Sequence, residues 1–308
     1  MMINALKYYY NITPQEIHQK DDKYRFNINN QRFILYPYKR SEEELAEIYK
    51  LQKYLEYIGM YCHKIIPNKE GQILTYINKI PYILLNVKIE NRIITINDIL
   101  NMSNITVDER EYKKIKRANW SKLWSEKIDY IENQIEQIGN KYPLIRESID
   151  YNIGIVENCI QMLNNEISNI KTNTISHNRI NKNITTEEFY NPINFIIDNK
   201  IRNIGEYLKT IMIEESNLIP LIEQTIYNNK LNNDEIKLLF IRTIYPSTYF
   251  DKYEKIIEKK LPEKDLESEI KNIEIKEQII NTIYNYLKTI INMPDIEWLK
   301  RKDVIQHW

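Results

Sequence analysis

The sequence predicts an α+β chain in two unequal parts, a small strand-rich lobe followed by a larger and mostly helical one. Three observations predict it. Alternating apolar and polar residues mark strands on both sides of a single helix within residues 24–87. From residue 124 to residue 291, apolar residues recur every three or four positions instead. The 308 residues are 43% hydrophobic and 28% charged, which is enough apolar material for a sizeable core and argues against wholesale disorder.

Taken in order, Tyr24-Arg25-Phe26-Asn27-Ile28 alternates, Asn29-Asn30 supplies a turn, and Arg32-Phe33-Ile34-Leu35-Tyr36 resumes as the second arm of a hairpin. Ser41-Glu42-Glu43-Glu44 is a capping box. Leu45, Ile48, Leu51, Leu55 and Ile58 follow at helical spacing, and Gly59 stands where a C-terminal cap belongs. Ile73–Ile77 and Tyr82–Val87 return to strand around Asn78-Lys79-Ile80-Pro81. The first lobe is expected to span 1–88, with a hinge near Val87–Asn91 and the helical lobe over 89–308.

In that second lobe Trp124, Ile128, Ile131, Ile135 and Ile138 keep a helical rhythm until Gly139. Ile149, Ile153, Val156, Ile160, Leu163, Ile167 and Ile170 continue it. At Thr172–Thr186 the rhythm fails, and the segment reads as a polar loop without apolar anchors. A strand-like Phe195-Ile196-Ile197 follows, then helices near 204–213, 218–227, 235–244, 249–260 and 269–291.

Composition excludes several functions. Lys plus Arg and Asp plus Glu each number 43, so the formal charge is zero and a general nucleic-acid binder is not indicated. No apolar run reaches the roughly 18–20 residues of a membrane span. The start of the chain shows no charged leader before an apolar core, so a cytoplasmic protein is expected. Glycine occurs 5 times against 24 tyrosines, a bias that an AT-rich coding sequence accounts for. Gly59, Gly71, Gly139, Gly154 and Gly205 are scattered singly, so no glycine-rich phosphate loop exists. Cys62 and Cys159 read as reduced, partly buried thiols. His18, His63, His177 and His307 have no partner at the spacing of a helical metal site, and no cofactor is expected.

A small α+β lobe joined to a larger helical one is the layout of a bilobal kinase-like fold. In such folds a catalytic loop precedes a strand that carries a metal-binding Asp. Ile175-Ser176-His177-Asn178-Arg179-Ile180 occupies the loop's place here, and Asp198 ends the strand-like piece after it.

Several stretches carry a resemblance. They include Leu123–Asp129, Gly154–Gln161, Ile175–Arg179, Ile197-Asp198 with Arg202–Tyr207, Leu239–Arg242 and Tyr245–Phe250. In their order and spacing they resemble the YutH branch of the bacterial spore-coat CotS-related proteins. Those proteins are similar to aminoglycoside phosphotransferase-type kinases, which implies a small strand-rich N-lobe and a mostly helical C-lobe. Active relatives carry His-Gly-Asp, whose Asp is the catalytic base. The run here is His177-Asn178-Arg179, and an arginine, with a pKa above about 12, accepts no proton at neutral pH. The family's metal-binding Asn falls near Asn183 or Ile184 without a clean register. Asp198 matches the magnesium-holding Asp and is the one weak metal candidate, since a lone carboxylate is a poor magnesium site. The strand that should hold a phosphate-anchoring Lys, Ile34-Leu35-Tyr36-Pro37, has none; Lys39 lies beyond it, within reach of Glu44 or Glu47 as a surface pair. Arg202 and Glu206 are spaced for an ion pair on one helix face.

With those departures the resemblance implies a catalytically inactive kinase-like protein without catalytic, cofactor-binding or metal residues. It would be a structural or interaction component made in the mother-cell cytoplasm and then placed in the spore coat, its partners other spore-coat proteins. A small anionic ligand in the interlobe cleft, on Arg179, is an expectation of the same kind. Two other readings stand beside it: an atypical small-molecule phosphotransferase using ATP and magnesium, and an unrelated helical interaction module.

Overall fold

The computed structural model describes residues 2–300, apart from 21, 88, 89, 118, 139, 140, 169 and 216. The 88/89 division falls on two of the omitted positions, and Gly139 and His307 also lie outside the described residues. Two compact units are present. One gathers Met1–Thr95, Asp108–Lys116 and His177–Ile197; the other gathers Ile96–Val107, Arg117–Ser176 and Asp198–Trp308. A hinge at Val87–Asn91 remains a proposal.

The first unit opens with α1 (Met2–Tyr10), an element that the sequence pattern did not announce. Strands β1 (His18–Lys20), β2 (Lys23–Ile28) and β3 (Gln31–Pro37) follow, then α2 (Glu42–Tyr57), β4 (Lys64–Ile66), β5 (Thr75–Ile77) and β6 (Ile80–Val87). The sheet order is β1-β2-β3-β6-β4, with β5 added on β6 and every pairing antiparallel. Leu6 of α1 joins Phe26, Phe33, Leu35, Ile77, Tyr82 and Leu84 in one apolar cluster.

Local chemistry explains the turns. Asn29 and Asn30 both take positive φ (48° and 61°), the left-handed pair that a two-residue hairpin requires and that asparagine tolerates. Asn78 and Lys79 do the same (51° and 67°), so β6 begins at Ile80 and not at Tyr82 as expected. Pro81 therefore lies inside the strand, opposite Tyr76, and its carbonyl accepts the Tyr38 N–H. The capping box of α2 forms as the sequence indicates, between Ser41 and Glu44. At the other end Gly59, at φ 75°, donates its N–H to Glu56, while the Met60 N–H reaches Leu55. That is a Schellman closure.

After β6 come α3 (Ile96–Ser103), α4 (Trp120–Ile138) and α5 (Pro143–Glu166). The next segment corrects the sequence reading. β7 (Thr174–His177) runs through the supposed polar loop with every residue buried, and Ile175, Ile180 and Ile184 anchor it. A strand covered on both sides shows no alternation to detect. Then follow α6 (Thr186–Phe189) and β8 (Phe195–Asp198). The helical series is α7 (Ile201–Ile211), α8 (Ile219–Asn228), α9 (Asn233–Ile244), α10 (Ser247–Ile257), α11 (Glu267–Lys271), α12 (Ile273–Ile290) and α13 (Glu297–Lys300). The single helix expected over 269–291 is divided at Asn272, which leaves helical geometry at φ −94° and ψ 4°.

Candidate functional site

Asp198, the last residue of β8, is fully buried, and protein donors surround its carboxylate. The Trp120 indole N–H donates to Oδ1 at 3.0 Å and to Oδ2 at 3.3 Å. The Asn199 backbone N–H donates to Oδ1 at 2.7 Å, and Arg202 Nη1 to Oδ2 at 2.9 Å. Burial pushes the carboxyl up from its ordinary value, against the pull of Arg202, the Asn199 N–H, Arg242 and Trp120. A divalent cation here would have to displace the indole and the guanidinium. Among the described residues no three of His, Cys, Asp and Glu come together as a metal-binding group.

One turn further along α7, Glu206 is the centre of a second buried cluster. Arg242 Nη2 lies 2.7 Å from it and Lys209 Nζ 3.0 Å, and the Ser247 hydroxyl donates to it at 2.9 Å. The guanidinium of Arg242 lies 5.0 Å from the Trp120 ring, 5.7 Å from Trp124 and 5.6 Å from Tyr245. Trp124 stacks on Tyr245 at 4.1 Å. The Arg202–Glu206 spacing is only part of the arrangement: Arg202, whose charge acts on Glu206, also reaches back four positions to Asp198, and Arg242 from α9 pairs with Glu206. Sequence reasoning missed Trp120 and Arg242, and nothing in their own neighbourhoods signals either role.

Gly205 makes this arrangement fit. A Cβ there would come within 2.7 Å of Cβ and Cγ of Arg242. Gly205→Ala is expected to cost about 1–3 kcal/mol, the usual penalty for an added methyl in a filled core. Urea unfolding checks it, and an unchanged midpoint would show that Arg242 can yield.

Apart from Cys159, which is in the second unit, the other residues singled out from the sequence lie in the first unit. His177 is buried, stacked on Phe189, and accepts the Arg179 N–H at Nδ1 (3.2 Å). Its Nε2 therefore carries the proton and donates to the Glu188 carbonyl at 3.1 Å. Asn178 and Arg179 are exposed, and Arg179 Nη1 donates to the Asn178 carbonyl. Asn183 is exposed in a turn held by Asn181, and Ile184 is a buried anchor. Lys39 is exposed; Arg40 holds Glu44, at 2.8 Å, while also donating to the carbonyls of Ile193 and Phe195 at 2.9 Å each. Glu47 accepts the backbone N–H groups of Lys114 and Ile115. The i, i+4 spacing of Arg40 and Glu44 was the available signal for that pair. Cys62 and Cys159 are free thiols, both pushed up to about 12 by burial.

Comparison with known proteins identifies the chain's relatives. The family described as "Spore coat putative kinase YutH" matches residues 3–285. The chain belongs to that family. No curated protein sequence matches it. Its fold is similar to an aminoglycoside phosphotransferase from Alicyclobacillus acidocaldarius, with TM-score 0.72 and 5% identity over 93% of this chain and 96% of the other. It is also similar to spectinomycin phosphotransferase APH(9)-Ia in complex with ADP and spectinomycin, with TM-score 0.61 and 12% identity over 92% and 96%. The amicoumacin kinase hAmiN, bound to AMP-PNP, calcium and Ami, follows at TM-score 0.55 and 13% identity over 92% and 93%. At these identities the likeness concerns the fold. An antiparallel sheet in the N-terminal region and helices in the C-terminal region make this an aminoglycoside-phosphotransferase-like kinase fold. No described helix is long and apolar enough to cross a membrane.

Proposed function

We propose that this member of the spore-coat YutH family is a kinase-like protein that transfers no phosphate and works by contact, as a structural component of the spore coat. The observation that carries the reading is the Asp198 carboxylate, whose oxygens already accept from Trp120, Asn199 and Arg202. Phosphoryl transfer depends on positioned metal, a cation on the phosphates and a base guiding the acceptor hydroxyl. The position of the base is held by Arg179, a fixed positive charge. The phosphate-anchoring strand, β3, has no lysine, and no glycine-rich loop is present. Family membership supports the coat setting, and other coat proteins are the proposed partners.

Purified protein is expected to show no magnesium-dependent ATP turnover above background and no Mg-ATP-induced rise in melting temperature. Arg179→Asp should not create turnover, because the remaining parts stay absent and each such part supplies about 3–4 kcal/mol of transition-state stabilisation. Turnover by the wild-type chain that disappears in a folded Asp198→Asn variant would sink this reading. It would favour the ATP- and magnesium-dependent small-molecule phosphotransferase instead.

A further inference from the structure

We propose that the helical unit contains a binding site for a small, neutral, largely apolar molecule carrying one hydroxyl or amide group. A cavity of about 210 Å³ lies among α5, the end of α7, the α9–α10 junction and the α11–α12 junction. Ile155, Met212, Ile244 and Ile280 form part of its wall, all of them buried. A dry apolar cavity of about 150 Å³ already accepts benzene, so this volume suits a substituted ring. The cavity shares no residue with Asp198 or with His177-Asn178-Arg179, and the proposal is independent of whether phosphate is transferred.

Three polar groups on the wall keep hydrogen-bonding capacity. Asn152 is buried, and its amide N–H donates to the Ser148 carbonyl at 2.8 Å, while its Oδ1 has no partner among the described residues. Tyr245 is 5% exposed, and its hydroxyl likewise has no hydrogen bond among the described residues. Lys209 Nζ donates to Glu206 at 3.0 Å and to Ser247 at 2.8 Å, which leaves one of its three protons uncommitted. A mostly apolar wall with a few polar groups is the usual character of a small-molecule site.

Charge decides the class of ligand. Each charged group here already has a partner of opposite sign: Lys209 shares Glu206 with Arg242, and Glu269 on the same wall lies between Lys252, at 2.8 Å, and Lys276. An ion entering the cavity would give up its hydration without finding an unmatched partner. A neutral hydroxyl can accept from Lys209 or Tyr245 and donate to Asn152 Oδ1.

The test is a ¹⁹F NMR titration of the full chain with 4-fluorophenol, using fluorobenzene as the hydroxyl-free control. Saturable binding of 4-fluorophenol is expected at roughly 0.1–1 mM, the range open to so few atoms. Fluorobenzene should bind about 3- to 10-fold more weakly, as the loss of one hydrogen bond predicts. Asn152→Leu should lower the affinity for 4-fluorophenol toward that of fluorobenzene and leave fluorobenzene unchanged. Ile213→Trp, at a partly exposed wall position, should remove binding of both. The proposal is overturned by no saturable binding to the wild type, by unaltered 4-fluorophenol affinity in Asn152→Leu, or by unaltered binding in folded Ile213→Trp. If the tryptophan variant does not fold, Asn152→Leu alone decides.

Discussion

Replacing Glu206 by alanine is expected to lower the unfolding free energy by about 3–5 kcal/mol, the cost of leaving buried charges without their partner. Glu206 holds Arg242 at 2.7 Å and Lys209 at 3.0 Å, and both cationic side chains are at least nine-tenths buried. Removal of the carboxylate strands both. Burial alone would push this carboxyl up, but Arg242, Lys209 and Arg202 outweigh it and hold the group well below its ordinary value. Its contribution to stability is therefore present above the unfolded value of 4.5 and is lost only as pH falls toward the depressed folded value. Urea unfolding at neutral pH measures the alanine effect. Adding Arg242→Met to Glu206→Ala should restore part of the loss, because one stranded cation is removed with it. Losses that simply add would show that the two groups are not coupled.

Acid should weaken the protein through His63 before it reaches most of the carboxylates. His63 is fully buried in the first unit, with Tyr61 Oη 2.9 Å from Nδ1 and the Glu187 carbonyl 2.9 Å from Nε2. The carbonyl can only accept, so Nε2 carries the proton and the Tyr61 hydroxyl donates to Nδ1. Burial lowers the imidazole from 6.5 to about 4, more than the neighbouring Glu187 carbonyl raises it. The unfolded chain thus gains a proton below about 6.5 that the folded chain refuses until about 4. Stability falls across that window, by about 3 kcal/mol in total at 1.36 kcal/mol per unit. His63→Gln keeps a donor for Glu187 and removes the titration, so its stability between pH 7 and 4.5 should fall less steeply than that of the wild type. Parallel curves for the two proteins would remove His63 from the account.

Much of the fold was readable because its causes are local. The capping box at Ser41, the closure at Gly59 and the Asn29-Asn30 turn each arise within five residues of one another, where backbone geometry and one side chain decide the outcome. The rhythm of α4 and α5 was readable for a related reason, since each helix packs one apolar stripe. β7 was not, because all four of its residues are buried and no alternation remains to see. α11 and α12 merged in the sequence pattern because apolar spacing carries no mark of the backbone change at Asn272.

The candidate site divides in the same way. His177, Asn178, Arg179 and Asp198 could be picked out from their order along the chain. What surrounds Asp198 could not, because Trp120 lies 78 positions earlier in the chain. Helical spacing matched Glu206 to Arg202, whose charge does act on it, but could not show Arg242 from α9, admitted by the missing side chain of Gly205. Composition and short-range pattern govern which elements form. The partner of a buried charge is settled by packing, since an ion removed from water must be met by whichever opposite charge or donor the folded chain brings within about 3 Å.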